Sequence, residues 1–200
     1  AYGCDITFKS EANVDTDSMH EKKLIRLINM EPYSLPFADN TFDLIISNQV
    51  FEHVQNYSET IKELHRILKP EGSAIHIFPS RYSPIEPHVY VPFSSIVNSY
   101  PWLLLWAFFG VRNGSQSGLS AKEVAINNRN YLRDNTNYLS KRKINQYFKS
   151  YFESVEYCES LFLKYSPRGL HIYNLSKLLP FLPALYGHFR MRVLITRLPK

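Results

Sequence analysis

The 200 residues, 44% hydrophobic and 14% aromatic, suffice for one α/β domain with a sizeable core and are too few for two. The formal charge of +5 is carried by Lys and Arg scattered along the chain rather than massed in a stripe, so no nucleic-acid partner is expected. Cys4 and Cys158 have neither the spacing of a zinc site nor the density of a disulfide scaffold, and a reducing cytoplasm is the expected compartment.

The chain opens on AYGCDI, which reads as a strand over Ala1–Ile6 entered with neither an initiator Met nor a preceding turn; the expectation is that sequence upstream is missing. No charged segment followed by an apolar one suggests a signal peptide. Thr7–Lys23 is polar and poorly periodic, a loop with one helical turn at most. Leu24–Met30 returns to a strand pattern, and Pro32, Pro36, Asp39 and Asn40 supply turn chemistry. The near-continuous apolar run Phe42–Ser47 predicts a central parallel strand covered on both faces.

After a cap at Asn56 or Ser58, Ile61, Leu64, His65 and Leu68 recur at helical spacing until Pro70 and Gly72. Ser73–Phe78 is again a strand. Strand, connection, strand, loop, strand, helix, strand is the order of a doubly wound, mostly parallel α/β sheet with right-handed crossovers. One domain over residues 1–200 is therefore expected, with residues 80–137, rich in prolines and aromatics, forming an α-rich lid or substrate-binding insertion. Within it the apolar run Tyr100–Val111 is shorter than the roughly 20 residues of a membrane span, so it is expected to line a pocket or to touch a membrane peripherally. Ser140 caps a helix through Phe148, Phe152–Phe162 reads as a strand, Leu170–Leu185 as a helix on the lid, and His188–Arg197 as a final antiparallel strand.

The segment LPFADNTFDLIISNQVFEHV, from Leu35 to Val54, is followed by a helix and then by LKPEGS from Leu68. Together with Gly3-Cys4-Asp5 at the first strand's end, it resembles the central signature of class I S-adenosylmethionine-dependent methyltransferases of the UbiE/small-molecule type. The resemblance covers residues 1 to about 80 and implies a Rossmann-like fold, S-adenosyl-L-methionine as cofactor and methyl transfer as the reaction. In an open α/β sheet a side chain just past a strand faces the ligand, and Asp5, followed by Ile6, stands where a carboxylate accepts both ribose hydroxyls.

The resemblance implies that an acidic residue shortly before Leu-Pro-Phe, here Glu31, takes the adenine amino group, but Pro32 has no N–H for the contact that follows. Either Asn29 and Met30 meet the adenine instead or that contact is missing. Ser47, Asn48 and Gln49 match the stretch lying along the cofactor near its methyl, and His53 matches a histidine that shapes the loop more often than it acts as a base. No G-x-G occurs among the seven glycines, and Gly114-Ser-Gln-Ser-Gly118 falls in the lid, so the sequence as it stands is expected to hold the cofactor poorly.

Methyl transfer from a sulfonium is an in-line displacement with an activated leaving group, so no metal is expected, and a hydroxyl acceptor gains from a general base. Glu86, His88 and Tyr90 alternate along PIEPHVYVPF, which on an extended segment puts all three on one face; Glu86 and His88 are candidate bases beside His53. The aromatics Trp102, Trp106, Phe108 and Phe109 suit an apolar pocket wall or a seat against lipid, and the combination resembles methyltransferases of polysaccharide and lipid-glycan pathways, which implies a small-molecule, glycan or lipid-linked acceptor. The competing expectation is an inactive methyltransferase fold serving as a binding or scaffolding module.

Overall fold

The computed structural model describes residues 1–7 and 15–199; part of the predicted loop after Ile6 lies outside them. The chain begins with β1 (Gly3–Asp5), a short helix α1 (Thr16–Glu21) and β2 (Ile25–Leu27), which pairs parallel with β1. Then β3 (Asn29–Met30) and β4 (Tyr33–Ser34) form a small antiparallel hairpin. The larger sheet is built from β5 (Phe42–Asn48), β6 (Leu68–Pro79), β7 (Phe152–Tyr157) and β8 (Met191–Pro199), in the order β5-β6-β8-β7. Its β5 and β6 run parallel, whereas β8 is antiparallel to both of its neighbours. An α/β fold with parallel pairs and an antiparallel final strand is thus what the chain adopts.

Helix α2 (Tyr57–Ile67) connects β5 to β6, and its spacing decides its orientation. Tyr57, Thr60, Ile61, Leu64 and Ile67 form one buried stripe at three- and four-residue steps. Of these, Tyr57, Ile61, Leu64 and Ile67 join Phe51, Leu68, Ala74, Phe78, Phe148, Phe152 and Leu194 in the main core. Helix α5 (Lys141–Lys149) supplies Ile144 and Phe148 to that core; its first turn is capped by the Ser140 hydroxyl, which accepts from the Lys143 N–H. Because side chains alternate along a strand, Ile75, Ile77, Val193 and Ile195 face the other side, where they meet Leu161 and Phe162 of α6 (Glu159–Tyr165).

Several expectations need correction. The strand β5 forms an edge rather than the centre of its sheet: among the described residues it pairs with β6 alone, and Leu44 and Ile46 are 51% and 63% exposed. The run Phe152–Phe162 does not continue as a strand but turns at Cys158 into α6, since an apolar run of that length suits either structure. Residues 170–185 form two helices, α7 (Leu170–Ser176) and α8 (Leu182–Phe189), with Pro180 between them; they pack on α6, and α8 also on β8, rather than mainly on the insertion.

Between β6 and α5, residues 80–137 hold α3 (Tyr100–Phe108) and α4 (Ala121–Asn135), which pack on each other around Leu103, Ala125 and Leu132 with Val89 and Val91. No helix among the described residues is long and apolar enough to cross a membrane.

One side chain fixes the loop before β5. The Arg66 guanidinium donates to the carbonyls of Leu35 and Phe37 and to the carboxylates of Asp39 and Glu63, while Glu63 accepts from the Leu35 N–H. These charge-assisted bonds hold both Arg66 and Glu63 in their ionised forms. Arg66→Met keeps the aliphatic stem and strands the Leu35 and Phe37 carbonyls. It is expected to lower stability by about 1–2 kcal/mol, read as a shift in urea midpoint; an unchanged midpoint would show that water replaces the guanidinium without loss.

Candidate active site

Beyond the carboxyl ends of the parallel pair β5–β6 lies a group of ionisable side chains that includes Glu52, His53 and His88. After β5 the chain turns through Gln49, whose φ of 57° is left-handed and whose N–H donates to the Ile77 carbonyl. This turn drives Phe51 and Glu52 inward, each only 1% exposed. Phe51 fills the core, whereas neither carboxylate oxygen of Glu52 has a hydrogen-bond partner among the described residues. Burial pushes the Glu52 carboxyl up to about 7.

The second contribution comes from beyond β6. Glu86 is completely buried, and its Oε2 accepts the N–H groups of His88 and Val89 at 2.8 and 2.7 Å, closing a tight turn. Its Oε1 lies 2.6 Å from His88 Nδ1 and accepts the Tyr138 hydroxyl at 2.6 Å. Burial alone would raise the Glu86 carboxyl, but bonds from His88, Tyr138 and Val89 outweigh it and hold the group below its ordinary value. Burial likewise opposes the charged form of His88, yet the Glu86 carboxylate overcomes it and the imidazole is held above its ordinary value. Tyr138 is pushed well upward by burial and by Glu86, and so remains a donor.

The third contribution returns from the end of α4. Asn137 donates its N–H to the Glu52 carbonyl at 2.6 Å and its side-chain amide to the Val54 carbonyl at 2.8 Å. His53 Nδ1 lies 2.6 Å from the Asn135 carbonyl, and the rings of His53 and His88 meet edge to face at 4.8 Å. Both imidazoles are therefore held through Nδ1, which leaves Nε2 on each. Tyr131 of α4 packs against His88 with ring centroids 5.5 Å apart.

The structure brings Glu86, His88 and His53 together, but the one face expected for Glu86, His88 and Tyr90 on an extended strand does not form. The Glu86 carboxylate coils residues 86–90 around itself, and Tyr90, with φ of 61° and 51% exposure, leaves the group. Glu52 and Tyr138 were missed. The adjacent Glu52-His53 pair after a strand was the available signal, but the burial that makes Glu52 unusual depends on Asn137 returning from far along the chain.

The expected cofactor residues sit elsewhere. Asp5 ends β1 exposed, one oxygen accepting the Ile6 N–H at 2.6 Å. Ile6 and Met30 are 59% and 51% exposed, and Glu31 is exposed beyond β3, its N–H donating to Asn29 Oδ1. Ser47 turns its hydroxyl to His76 Nδ1 at 2.7 Å, whereas Asn48 and Gln49 are exposed at the end of β5. A cavity of about 530 Å³ lined by residues such as Lys141, Tyr157, Glu159, His188 and Arg192 lies on the α6–α8 side and shares no residue with the cluster.

Residues 1–76 match the family model described as a methyltransferase domain. The chain is similar to demethylmenaquinone methyltransferase of Geobacillus sp., 32% identical over 76 residues that make up 37% of this chain and 32% of that protein. It is similar also to glycine/sarcosine/dimethylglycine N-methyltransferase of Actinopolyspora halophila, 31% identical over 39% of this chain and 15% of that one. A third relative is malonyl-[acyl-carrier protein] O-methyltransferase 1 of Coxiella burnetii, 49% identical over 20% of this chain and 14% of that one. The chain spans about a third or less of the length of these relatives. The matched stretch contains Asp5, the Leu35–Val54 segment and the first three-quarters of β6, so the similarity to methyltransferase domains lies in residues 1–76.

Proposed function

We propose that the protein transfers a methyl group from S-adenosylmethionine to a hydroxyl of a small-molecule, glycan or lipid-linked acceptor. The observation that carries this reading is the cluster of Glu52, His53, Glu86, His88 and Tyr138 beyond the carboxyl ends of β5 and β6, the place where an open α/β sheet receives its ligand. It adjoins the segment that matches the methyltransferase family.

The exposed groups fit the cofactor's chemistry. The exposed Asp5 carboxylate suits the ribose hydroxyls, and the exposed Ile6 and Met30 offer apolar flanks for an adenine. When bound, the cofactor supplies an electrophilic methyl on a sulfonium. The exposed Asn48 and Gln49 at the end of β5 would border it, and the buried cluster would orient the acceptor and take up the hydroxyl proton. Phe108 and Phe109, 78% and 68% exposed at the end of α3, favour an acceptor with a lipid portion.

The test is calorimetric titration of the full-length protein with S-adenosylhomocysteine. Binding is expected, weakened by roughly tenfold or more in Asp5→Ala, since a charge-assisted bond to each hydroxyl is lost. Absence of binding would remove the enzyme reading and leave a fold retained for binding or scaffolding.

A further inference from the structure

We infer that Glu52, His53 and His88 form a binding site for a divalent transition-metal ion of the zinc type. Each offers one ligand atom, and the three atoms lie within 4.8 Å of one another. Two imidazole nitrogens and one carboxylate are a donor set that zinc takes in catalytic sites, where a fourth position stays open. Zinc–ligand bonds of about 2.0–2.1 Å place ligand atoms about 3.3 Å apart, so contraction by at most about 1.5 Å completes the site.

Three features support a built site rather than a chance grouping. The Glu52 carboxylate is buried to 1% exposure with both oxygens unpartnered, a costly arrangement for a carboxylate unless something cationic completes it. Each imidazole is held through Nδ1, His88 by the Glu86 carboxylate and His53 by the Asn135 carbonyl. That is how metal-bound histidines are oriented, with the outer partner fixing the tautomer and leaving Nε2 for the ion. Finally, Tyr138 donates to the same Glu86 oxygen, so the outer shell is itself held in place.

The ion's role deepens the methyl-transfer reading and rests on it: a bound ion would make an acceptor hydroxyl more acidic, and its proton would then pass to solvent water in place of the ligating side chains. Binding of the ion does not depend on that reading.

The experiment is calorimetric titration of the chelator-treated full-length protein with zinc, repeated with cobalt and visible absorption as a coordination readout. One ion per chain is expected, with affinity reduced at least about 100-fold in His53→Ala, His88→Ala and Glu52→Gln, and about 10–100-fold in Glu86→Gln, which touches no ligand atom of the ion. His171→Ala, an exposed histidine on α7, is the control and is expected to bind as wild type. Circular dichroism establishes that each variant is folded, and Glu86→Gln keeps the test decisive should a ligand variant unfold. No saturable binding, or binding indifferent to these substitutions, overturns the site. Zinc bound without S-adenosylhomocysteine binding would leave the ion and remove the methyl-transfer reading; the reverse result would remove the ion alone.

Discussion

Replacing Phe148 with alanine is expected to cost about 3–5 kcal/mol of stability, the range for truncating a fully buried aromatic side chain. Phe148 has no exposed surface, and its ring lies 5.3 Å from Phe51, 5.2 Å from His76 and 6.2 Å from Phe152, centroid to centroid. These neighbours come from the turn after β5, the strand β6 and the start of β7, so no single element can move in to fill the cavity. Urea unfolding of both proteins reads the difference; a loss below about 1 kcal/mol would mean the stack collapses around the hole. Phe108→Ala, at a position 78% exposed, is the control and is expected to stay within about 0.5 kcal/mol of wild type.

The same stack makes the protein acid-sensitive. His76 is fully buried between Phe51 and Phe148, its Nδ1 bonded to the Ser47 hydroxyl and its Nε2 without a partner. Burial lowers its pKa from 6.5 to about 3. The unfolded chain therefore takes up the proton first. The stability linked to neutral His76 is fully present above pH 6.5 and is lost as pH falls, at about 1.4 kcal/mol per pH unit, until about pH 3. Between pH 7.5 and 4.5 the expected loss is about 2.5–3 kcal/mol. His76→Leu removes the titrating group and is expected to flatten that part of the profile. Parallel pH profiles for wild type and variant would refute the assignment.

What the sequence made legible follows from where local chemistry agrees with the final packing. Helix α2 declared itself through Ile61, Leu64 and Leu68 because a single stripe faces a single core. Ser140 marked the start of α5, and β8 was bounded correctly to within a few residues. The insertion was harder. Ser120 and Glu123 form a reciprocal cap at the start of α4, a signal readable in the sequence, yet the polar composition of residues 121–135 obscured the helix behind it. For residues 152–162 the apolar content was right and the structure was not, because α6 and β7 both bury apolar residues against β8.

The cluster divides along the same line. His53, Glu86 and His88 drew notice by residue type, whereas Glu52 acquires its character from burial, which no local pattern records. The extended reading of residues 86–90 failed because a side chain competed with the backbone: the Glu86 carboxylate captured two N–H groups that a strand would have sent to a neighbour.

The bonds from Asn135 and Asn137 to the turn after β5 have a consequence for how the protein assembles. The cluster draws on three stretches of chain, near residues 52, 86 and 137, separated by α2 with β6 and then by α3 with α4. Bringing such distant stretches together means closing long loops, whose entropic cost must be met before their contacts return anything. The cluster exists only once the segment from Ser80 to Asn137 has closed back on β5, so its formation is also a gauge of complete folding.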